Sequence, residues 1–210
     1  EEVDNPDHTI EVVGQQWSWT FNYSSDRDLT GGKVAYTAGT AYAAHFDSLT
    51  GLPNRRSFLE RLGREVQRAQ RSARQLAVLF MDLDGFKTVN DSHGHAAGDL
   101  ALKALAEVLL ECVRPMDTVA RIGGEEFAIV LPNCPPAFGP TVAERIRQRV
   151  ERRAVGIGPS QQISVTVSLG GAFAPQWVRS TVPLWLERAD LQLYNAKAAD
   201  RLGVVYTPNE

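Results

Sequence analysis

Cysteine is scarce in this sequence, positive charge is not concentrated, and long apolar runs are missing. Cys112 and Cys134 are the only cysteines among 210 residues, and they lack the CxxC or Cys/His spacing of zinc sites. This excludes a disulfide framework and indicates reduced thiols in a cytoplasmic protein. A net charge of -3 argues against binding to a nucleic-acid polymer. No apolar run approaches the length of a membrane span, so we expect no membrane segment in this chain, although a longer parent protein could be membrane-attached.

The first part of the chain differs in composition from the rest. TIEVVGQQWSWTFNY, at residues 9–23, alternates aromatic and polar residues and predicts a β-strand. The segment after it is rich in Gly, Ala, Ser and Thr, which is typical of turns and a linker. One or two strands do not make a stable domain alone. We therefore expect a short β-rich appendage at residues 1–44 and one globular domain at residues 45–210.

From residue 45 onward, helical and strand patterns alternate along the chain. Amphipathic periodicity predicts helices, and Asn54 is well placed near the start of the first one. A continuous apolar run predicts a buried strand, and apolar alternation predicts a strand covered on one face. The predicted helices span residues 53–71, 97–113, 135–152 and 182–199, and the predicted strands span residues 75–82, 162–174 and 203–207.

Residues 121–127 read RIGGEEF, with two glycines and two glutamates between short apolar runs. The flanks predict two antiparallel strands joined through Gly123 and Gly124. Glycine in the turn permits positive φ and a close approach of a ligand to the bare backbone. Glu125 and Glu126 repel each other, which favours either a solvated hairpin tip or a cation bound between them.

A second polar group follows the strand predicted at residues 75–82. Asp82 and Asp84 come at the end of this strand, before a glycine and Lys87. They would share a face if the strand continued. Strand-end aspartates are a common way to hold a hard cation, and they are also ordinary helix caps.

The segment NDSHGHAAGD follows this turn and contains further candidate ligands. His93 and His95 lack a third ligand at a zinc spacing, so we expect a structural role for one and exposure for the other. Asn90 and Asp99 offer an amide and a carboxylate. Such a pair suits the edge of guanine, because the amide both donates and accepts while the carboxylate accepts from ring nitrogens.

Five segments, taken together, resemble one protein family. DSLTGLPNRRSF, MDLDGFKTVNDSHGHAAGD, RIGGEEF, VSLGGA and ADLQLYNAK occur in this order and are similar to the GGDEF family of bacterial diguanylate cyclases over residues 46–206. The signature here is the accepted variant GGEEF. The resemblance implies an α+β fold, with a palm-like (ferredoxin-like, adenylate cyclase-related) central antiparallel sheet flanked by helices. It also implies that a homodimer condenses two GTP into cyclic di-GMP and releases two pyrophosphates.

The resemblance implies roles for individual residues. Mg²⁺ or Mn²⁺ would be held by Asp82, the carbonyl of Leu83 and Glu125, with Glu126 beside them as a further catalytic residue. Asp200 stands where the family commonly has glycine, and a carboxylate there can weaken the hold of its neighbour on the triphosphate. The implied substrate-binding residues are Gly85, Phe86 and Lys87 for phosphate oxygens, Asn90 and Asp99 for guanine, and Lys197 and Arg201 for the triphosphate.

An RxxD sequence, Arg114-Pro115-Met116-Asp117, begins nine residues before Gly123. At this offset it matches the product-inhibition site of the family. The planar fork of arginine suits phosphate or a guanine edge. Arg145 or Arg147, on the next helix, would complete the site from the same or a second subunit. The alternative interpretation is a salt bridge within the loop.

The start of the chain has a weaker likeness to another family. Residues 3–40, through VDNPDHTIEVVGQQWSWTFNY, resemble a fragment of the copper domain of cytochrome c oxidase subunit II. The cysteine cluster that would ligate copper is absent, so we assign no copper. The segment AYTAGTAYAAHFD has no heptad pattern, whereas many GGDEF proteins reach this point through a coiled coil that joins two cyclases.

Three hypotheses about function follow. The first is an active, product-inhibited diguanylate cyclase. The second is a catalytically weak GGDEF domain that acts as a receptor for GTP or cyclic di-GMP. The third is a structural module whose aromatic strand recruits a partner. The enzyme is favoured because the sequence retains the residues that the chemistry needs, namely Asp82, Asn90, Asp99, Glu125 and Glu126.

Overall fold

The computed structural model describes residues 9–15, 18–24, 44–72, 75–135, 137–174, 181–199 and 204–208. The chain forms two compact units, Glu1–Thr40 and Ala41–Glu210. Within the described residues, no helix has the length and apolar character that a membrane crossing requires.

In the first unit, two antiparallel strands form a hairpin. Strand β1 covers Thr9–Gln15 and strand β2 covers Ser18–Ser24, with Gln15 opposite Ser18 in the register. The sequence predicts a single strand over this stretch, and that prediction is wrong. The chain reverses shortly after Gly14, and glycine and glutamine lack the β-branched or aromatic side chains that favour a continuous strand. The linker that is predicted after β2 lies outside the described residues.

The second unit contains five helices and seven strands among its described residues. A five-stranded sheet has the order β4-β5-β3-β8-β9, and β6 and β7 form a separate two-stranded hairpin. The strands are β3 (Leu76–Leu83), β4 (Thr118–Arg121), β5 (Glu126–Pro132), β6 (Val155–Gly158), β7 (Gln161–Ile163), β8 (Val167–Ala174) and β9 (Val204–Pro208). The helices are α1 (Arg55–Ser72), α2 (Phe86–His93), α3 (His95–Cys112), α4 (Phe138–Arg152) and α5 (Val182–Ala198).

Every residue of the central strand β3 is buried, because helices cover both faces of the sheet. Successive side chains of a strand point to opposite faces. Leu79 and Met81 join the apolar cluster under α3 and α4, whereas Val78 and Phe80 join the cluster under α1 and α5. Asp82 continues the second series and therefore belongs to the face that α1 and α5 cover.

The expected central antiparallel sheet with flanking helices is confirmed, with one addition at its edge. Strands β4, β5, β3 and β8 pair antiparallel. The last strand, β9, pairs parallel with β8. Parallel neighbours require a crossover connection, and here helix α5 lies between the two strands in the chain.

Several element boundaries differ from the predicted ones. Helix α1 begins after Asn54, because the Oδ1 atom of Asn54 accepts a hydrogen bond from the backbone N–H of Ser57 at 3.1 Å and caps the helix. The strand predicted at residues 162–174 is divided into β7 and β8. Helix α2 is absent from the predicted elements. It is only eight residues long and buries none of them, so its sequence has no apolar stripe from which a helix can be predicted.

Candidate active site

The GGEEF turn lies against the end of the central strand. Asp82 and Glu126 are opposite each other in the β3–β5 pairing. The backbone N–H of Leu83 donates a hydrogen bond to the carbonyl of Glu125 at 3.2 Å. Glu125 is half-buried, Glu126 is exposed, and Asp82 is only 6% exposed. Three carboxylates from two distant parts of the sequence therefore meet at one end of the sheet.

The two glycines of the turn do not use the positive φ that glycine permits. Among the described glycines, positive φ occurs at Gly51, Gly85 and Gly94, and not at Gly123 or Gly124. A Cβ on Gly123 would lie 2.2 Å from the Oε2 atom of Glu126, whereas a Cβ on Gly124 would meet no atom within 4 Å. A side chain at Gly123 would therefore displace the carboxylate of Glu126, and Gly124 presents bare backbone to open space.

Arg121 fixes this turn from the strand that leads into it. Its Nε and Nη2 atoms donate hydrogen bonds to the carbonyl of Gly124 at 3.2 and 2.6 Å. Its Nη1 atom lies 3.0 and 3.1 Å from the two carboxylate oxygens of Asp47. The Asp47 carboxylate also accepts from the backbone N–H of Thr50 at 2.9 Å. One guanidinium therefore joins the GGEEF turn to the loop before α1.

Burial by itself would raise the pKa of Asp47, but the hydrogen bonds from Thr50 and Arg121 outweigh it. The net result is a pKa below the ordinary value of 3.8. Asp47 is consequently ionised at neutral pH and remains a partner of Arg121.

The environment of the Glu125 carboxylate is different, because its pKa is raised above the ordinary value of 4.5. Burial is the main cause, and the negative charge of Asp82 adds to it. Lys197 of helix α5 acts in the opposite direction. The Nζ atom of Lys197 lies 2.8 Å from the Oδ2 atom of Asp82 and forms an ion pair with it. Two carboxylates and one ammonium group thus share this end of the sheet.

Asp84 does not join Asp82, although the sequence allows the two to share a face. Strand β3 ends at Leu83. The Asp84 carboxylate accepts hydrogen bonds from the hydroxyls of Thr166 and Ser168, both at 2.8 Å. These bonds hold the turn after β3 against β8, so Asp84 has a structural role.

Helix α2 starts immediately after this turn. Gly85 adopts a left-handed conformation, with φ of 67°, and the helix begins at Phe86. The first N–H groups of a helix lack intrahelical partners and favour anions. Lys87 is exposed in the first turn of the helix. The chain therefore places the backbone of Gly85, Phe86 and Lys87 at the carboxyl end of β3, beside the three carboxylates.

Asn90 lies in a narrow space between α2 and α3. Gly94, with φ of 81°, is the one residue between these helices, and its N–H donates to the carbonyl of Asn90 at 2.8 Å. A Cβ on Gly98 would lie 2.1 Å from the Oδ1 atom of Asn90. This oxygen is buried and has no hydrogen-bond partner among the described residues. A buried amide oxygen without a partner costs free energy unless a ligand supplies a donor.

Other residues predicted around Asn90 are exposed. Asp99 is exposed in the first turns of α3. His93 and His95 are both exposed as well, so the expected structural role of one histidine is wrong. Arg201 and its neighbour Asp200 lie outside the described residues.

The RxxD loop precedes β4, so β4 separates it from the GGEEF turn. The guanidinium of Arg114 donates to the Asp117 carboxylate at 3.2 and 3.0 Å and to the carbonyl of Pro132 at 3.1 Å. It also lies 4.6 Å from the centre of the Phe138 ring, as a cation–π contact. The side chain of Asp117 is 0% exposed, and that of Arg114 is 33% exposed. The salt bridge within the loop exists, and part of the Arg114 side chain stays accessible.

The two arginines proposed as partners of this loop occupy different positions. The Nη2 atom of Arg145 donates to the carbonyl of Cys112, two residues before Arg114 in the chain. Arg147 forms ion pairs with Glu144 and Glu151 at 2.9 and 3.1 Å. The structure brings Arg145 toward the loop and ties Arg147 to its own helix.

Comparisons with known proteins agree with this geometry. The family model for the diguanylate cyclase GGDEF domain matches residues 44–202. The chain belongs to the GGDEF family. It is 40% identical, over 164 residues, to the bifunctional diguanylate cyclase/cyclic di-GMP phosphodiesterase MucR of Pseudomonas aeruginosa, covering 76% of this chain and 23% of MucR. The chain thus spans about a quarter of the length of that relative.

Solved GGDEF structures have the same fold. The GGDEF domain of DgcB from Caulobacter crescentus, in complex with c-di-GMP, superposes with a TM-score of 0.73 at 32% identity, over 78% of this chain and 93% of that one. The active GGEEF domain of a diguanylate cyclase from Vibrio cholerae superposes with a TM-score of 0.69 at 29% identity, over 75% of this chain and 98% of that one. The palm-like fold expected from the sequence is therefore confirmed.

The residues at the end of β3 fit a hard divalent cation. Asp82 and Glu125 are close enough for the charge of one to raise the pKa of the other. Carboxylate and carbonyl oxygens are the ligands that Mg²⁺ prefers, and Mg²⁺ usually takes only one or two carboxylates along with water and substrate phosphates. Within the part of the chain that the structure describes, no group of three His, Cys, Asp or Glu side chains is arranged to hold a metal. A site of two carboxylates completed by a phosphate ligand matches this donor set.

Sequence reasoning missed two parts of this GGDEF site. Asp47 and Arg121 lie in segments that resemble the family, but the resemblance implies no role for either residue, and for Lys197 it implies a contact to phosphate and not the one to Asp82. The arginine close to the Gly-Gly turn and the aspartate of the DSLT segment are the sequence features from which a role for these two residues could be predicted. Their pairing links residues far apart in the chain, and local patterns do not encode such a distance.

Proposed function

We propose that this chain is a diguanylate cyclase that condenses two GTP into cyclic di-GMP and releases two pyrophosphates. The observation that carries the proposal is the meeting of Asp82 and Glu125 at the end of β3, beside the start of helix α2. Its resemblance to the Vibrio cholerae GGEEF domain, which is described as active, supports the same reaction.

In this mechanism, Asp82, Glu125 and the Leu83 carbonyl would hold Mg²⁺ or Mn²⁺. The bound cation would offset the triphosphate charge and lower the pKa of the attacking 3′-hydroxyl. The 3′-oxygen of one GTP forms a bond to the α-phosphorus of the other, and pyrophosphate leaves. Glu126 is exposed beside Asp82 and is available to accept the hydroxyl proton.

The nucleotide is held by the chain's own polar groups. Backbone N–H groups of Gly85, Phe86 and Lys87 cradle phosphate oxygens at the start of α2. The unpartnered Oδ1 atom of Asn90 accepts a hydrogen bond from the guanine amino group, and Asp99 accepts from the adjacent ring nitrogen. Lys197 and Arg201 complete the contacts to the triphosphate.

Two copies of the chain are required, because each domain holds one GTP. The cyclic product forms when the 3′-hydroxyl of each nucleotide reaches the α-phosphate of the other. We place the reaction in the bacterial cytoplasm, where GTP is available. The two cysteines are free and buried, as suits a reducing compartment.

The product inhibits the enzyme through Arg114 and Asp117. The accessible part of the Arg114 guanidinium offers donors to a phosphate or a guanine edge. Arg145, which contacts the carbonyl of Cys112, is better placed than Arg147 to add a second guanidinium. Cyclic di-GMP bound there would link two subunits and hold their active sites apart.

The decisive experiment is incubation of the protein with GTP and Mg²⁺, followed by chromatography and mass analysis of the nucleotides. We expect cyclic di-GMP and pyrophosphate in a ratio of one to two, and no product in EDTA. ATP is the matched control, because a carboxylate at Asp99 meets an acceptor on adenine and leaves both unpaired, a penalty of about 1–3 kcal/mol. Binding of GTP without turnover would replace this proposal with the receptor hypothesis.

A further inference from the structure

The ion pair between Lys197 and Asp82 occupies an atom that the proposed reaction needs. The Nζ atom of Lys197 lies 2.8 Å from the Oδ2 atom of Asp82. The Asp82 side chain is 8% exposed and that of Lys197 is 40% exposed. The ammonium charge already neutralises this carboxylate and repels a divalent cation that approaches it, so the two cations compete for Asp82.

The position of Lys197 is set by close packing of helix α5 on strand β8. A Cβ on Gly170 would lie 2.0 Å from the backbone nitrogen of Leu193, so the helix rests directly on the backbone of the strand. Lys197 follows Leu193 by one helical turn on the same face. In the next strand, Asp82 is opposite Ser168, two residues before Gly170. The ion pair is therefore built into the contact between α5 and the sheet.

The site also needs positive charge for a simple electrostatic reason. Asp82 and Glu125 are adjacent carboxylates at a partly buried end of the sheet, and their negative charges repel each other. A single cation between them offsets the repulsion. Lys197 supplies this charge from within the chain, and a divalent cation can supply it from outside.

We propose that Lys197 is the resident counter-ion of Asp82 and competes with the divalent cation for it, so that metal binding and triphosphate binding are coupled. The cation displaces the ammonium group from Asp82, and the displaced group becomes available to phosphate oxygens. The metal alone binds weakly, because it must break the ion pair. The metal with a nucleotide binds more tightly, because the released lysine gains a new partner. This inference rests on the proposed function for the identity of the nucleotide.

The test is a titration of Mn²⁺ into the full chain, with free Mn²⁺ followed by electron paramagnetic resonance, in the absence of nucleotide. We expect Lys197→Met to bind Mn²⁺ about fivefold or more tightly than the parent, which is the lower end of typical coupling between sites. Lys103→Met is the matched control, since it removes an exposed lysine of α3 and should leave the affinity unchanged. Lys197→Gln repeats the test with a polar side chain, and far-UV circular dichroism verifies that each variant is folded.

A second titration adds a non-hydrolysable GTP analogue. In the parent, the analogue should raise the Mn²⁺ affinity, and in Lys197→Met it should raise it by a smaller factor. Unchanged or weaker Mn²⁺ binding by both Lys197 variants without nucleotide would overturn the proposal. Formation of cyclic di-GMP by the parent is measured separately. If the parent forms no cyclic di-GMP but the Lys197 variants still bind Mn²⁺ more tightly than the parent, the proposed function is refuted. The competition between Lys197 and the divalent cation for Asp82 is then still established.

Discussion

Glu125 is a half-buried carboxylate held next to another carboxylate, Asp82. Burial and the charge of Asp82 raise its pKa, so the folded protein binds this proton more tightly than the unfolded chain does. Its contribution to stability is therefore present below the unfolded pKa and is lost as the pH rises through the raised folded pKa. Ionisation of Glu125 in the absence of metal therefore destabilises the fold.

We predict that Glu125→Gln abolishes turnover, because the metal loses a charged ligand. The same change should leave the free energy of unfolding in EDTA at neutral pH equal to or above that of the parent, because it removes the repulsion. Cyclase assays and urea unfolding measure the two effects. The control is Glu187→Gln, which neutralises an exposed carboxylate of α5. Activity near the parent level in Glu125→Gln would exclude Glu125 as a metal ligand.

A substitution at Gly98 tests the proposed contact between Asn90 and guanine. A Cβ at this position would lie 2.1 Å from the Oδ1 atom and 3.0 Å from the Cγ atom of Asn90. The Asn90 amide is the end of a flexible side chain, so it should move at little cost to stability. Gly98→Ala should therefore raise the KM for GTP about three- to tenfold, the loss of one hydrogen bond, and leave the unfolding temperature almost unchanged.

The control for this change is Gly156→Ala, because a Cβ there would meet no atom within 4 Å. An unchanged KM in Gly98→Ala, with the control also unchanged, would mean that Asn90 does not bind the base.

Among the elements, the β4–β5 hairpin depends on a residue outside it. Arg121 joins the turn carbonyl of Gly124 to Asp47, and the Asp47 carboxylate is ionised above its lowered pKa. A depressed carboxyl pKa contributes stability above the unfolded value of about 3.8, and this contribution is lost as the pH falls below it.

Asp47→Asn should lower the free energy of unfolding at neutral pH by about 1.5–3 kcal/mol, the value of a charged hydrogen bond, and should reduce cyclase activity because the turn is less well held. The difference from the parent should shrink as the pH falls below 3.8 and through the lowered pKa of the folded parent, where the parent also loses the charge. Urea unfolding at a series of pH values measures this. Asp91→Asn, an exposed carboxylate of α2, is the control, and a difference that persists at low pH would contradict the account.

The RxxD loop carries a prediction about regulation. Arg114→Lys keeps the charge but loses the planar fork that reaches both Asp117 and Pro132. We expect the affinity for cyclic di-GMP to fall about tenfold or more, since a charged hydrogen bond contributes about 1.5–3 kcal/mol. Activity at low product should survive. Calorimetry with a GTP analogue filling the active site measures the affinity.

The matched control for Arg114→Lys is Arg149→Lys, which alters an exposed ion pair with Glu111. Equal product affinity in Arg114→Lys and the parent would show that the loop is only a salt bridge.

Local sequence patterns predict the helices and strands whose apolar residues recur at a regular spacing. They fail where that regular spacing covers only a few residues or is interrupted. Helix α3 lies within two residues of its predicted bounds at both ends, because its buried face has a regular helical spacing. Helix α2 buries no residue, and β1 and β2 were merged into one strand. At the site, motif resemblance supplied the carboxylates and Asn90, but it could not supply the pairs of Asp47 with Arg121 and of Asp82 with Lys197. The likeness of residues 3–40 to an oxidase fragment stays a prediction.

For the whole molecule, the proposed reaction requires two copies of the chain, and the segment AYTAGTAYAAHFD at residues 35–47 has no coiled-coil heptads that would hold them together. We therefore expect the domain itself to form only a weak dimer. The rate of cyclic di-GMP formation per mole of protein should rise with protein concentration over the micromolar range and reach a plateau where the dimer is saturated. Analytical ultracentrifugation with the GTP analogue should show the dimer over the same range. A constant specific rate across a hundredfold dilution would contradict a weak dimer.

Strand β3 lies at the centre of its sheet, yet it is the first strand of that sheet in the chain. Both of its neighbours, β5 and β8, are made later, and helix α5 with Lys197 later still. During synthesis from the N-terminus, a segment that is apolar except for Asp82 therefore leaves the ribosome long before its partners do, and such segments are prone to aggregate. The long sequence separations also predict slow folding. The pairing partners of β3 and the proposed nucleotide site are both incomplete until β8 and α5 have emerged, so the β3 segment needs chaperone protection most in the interval before that.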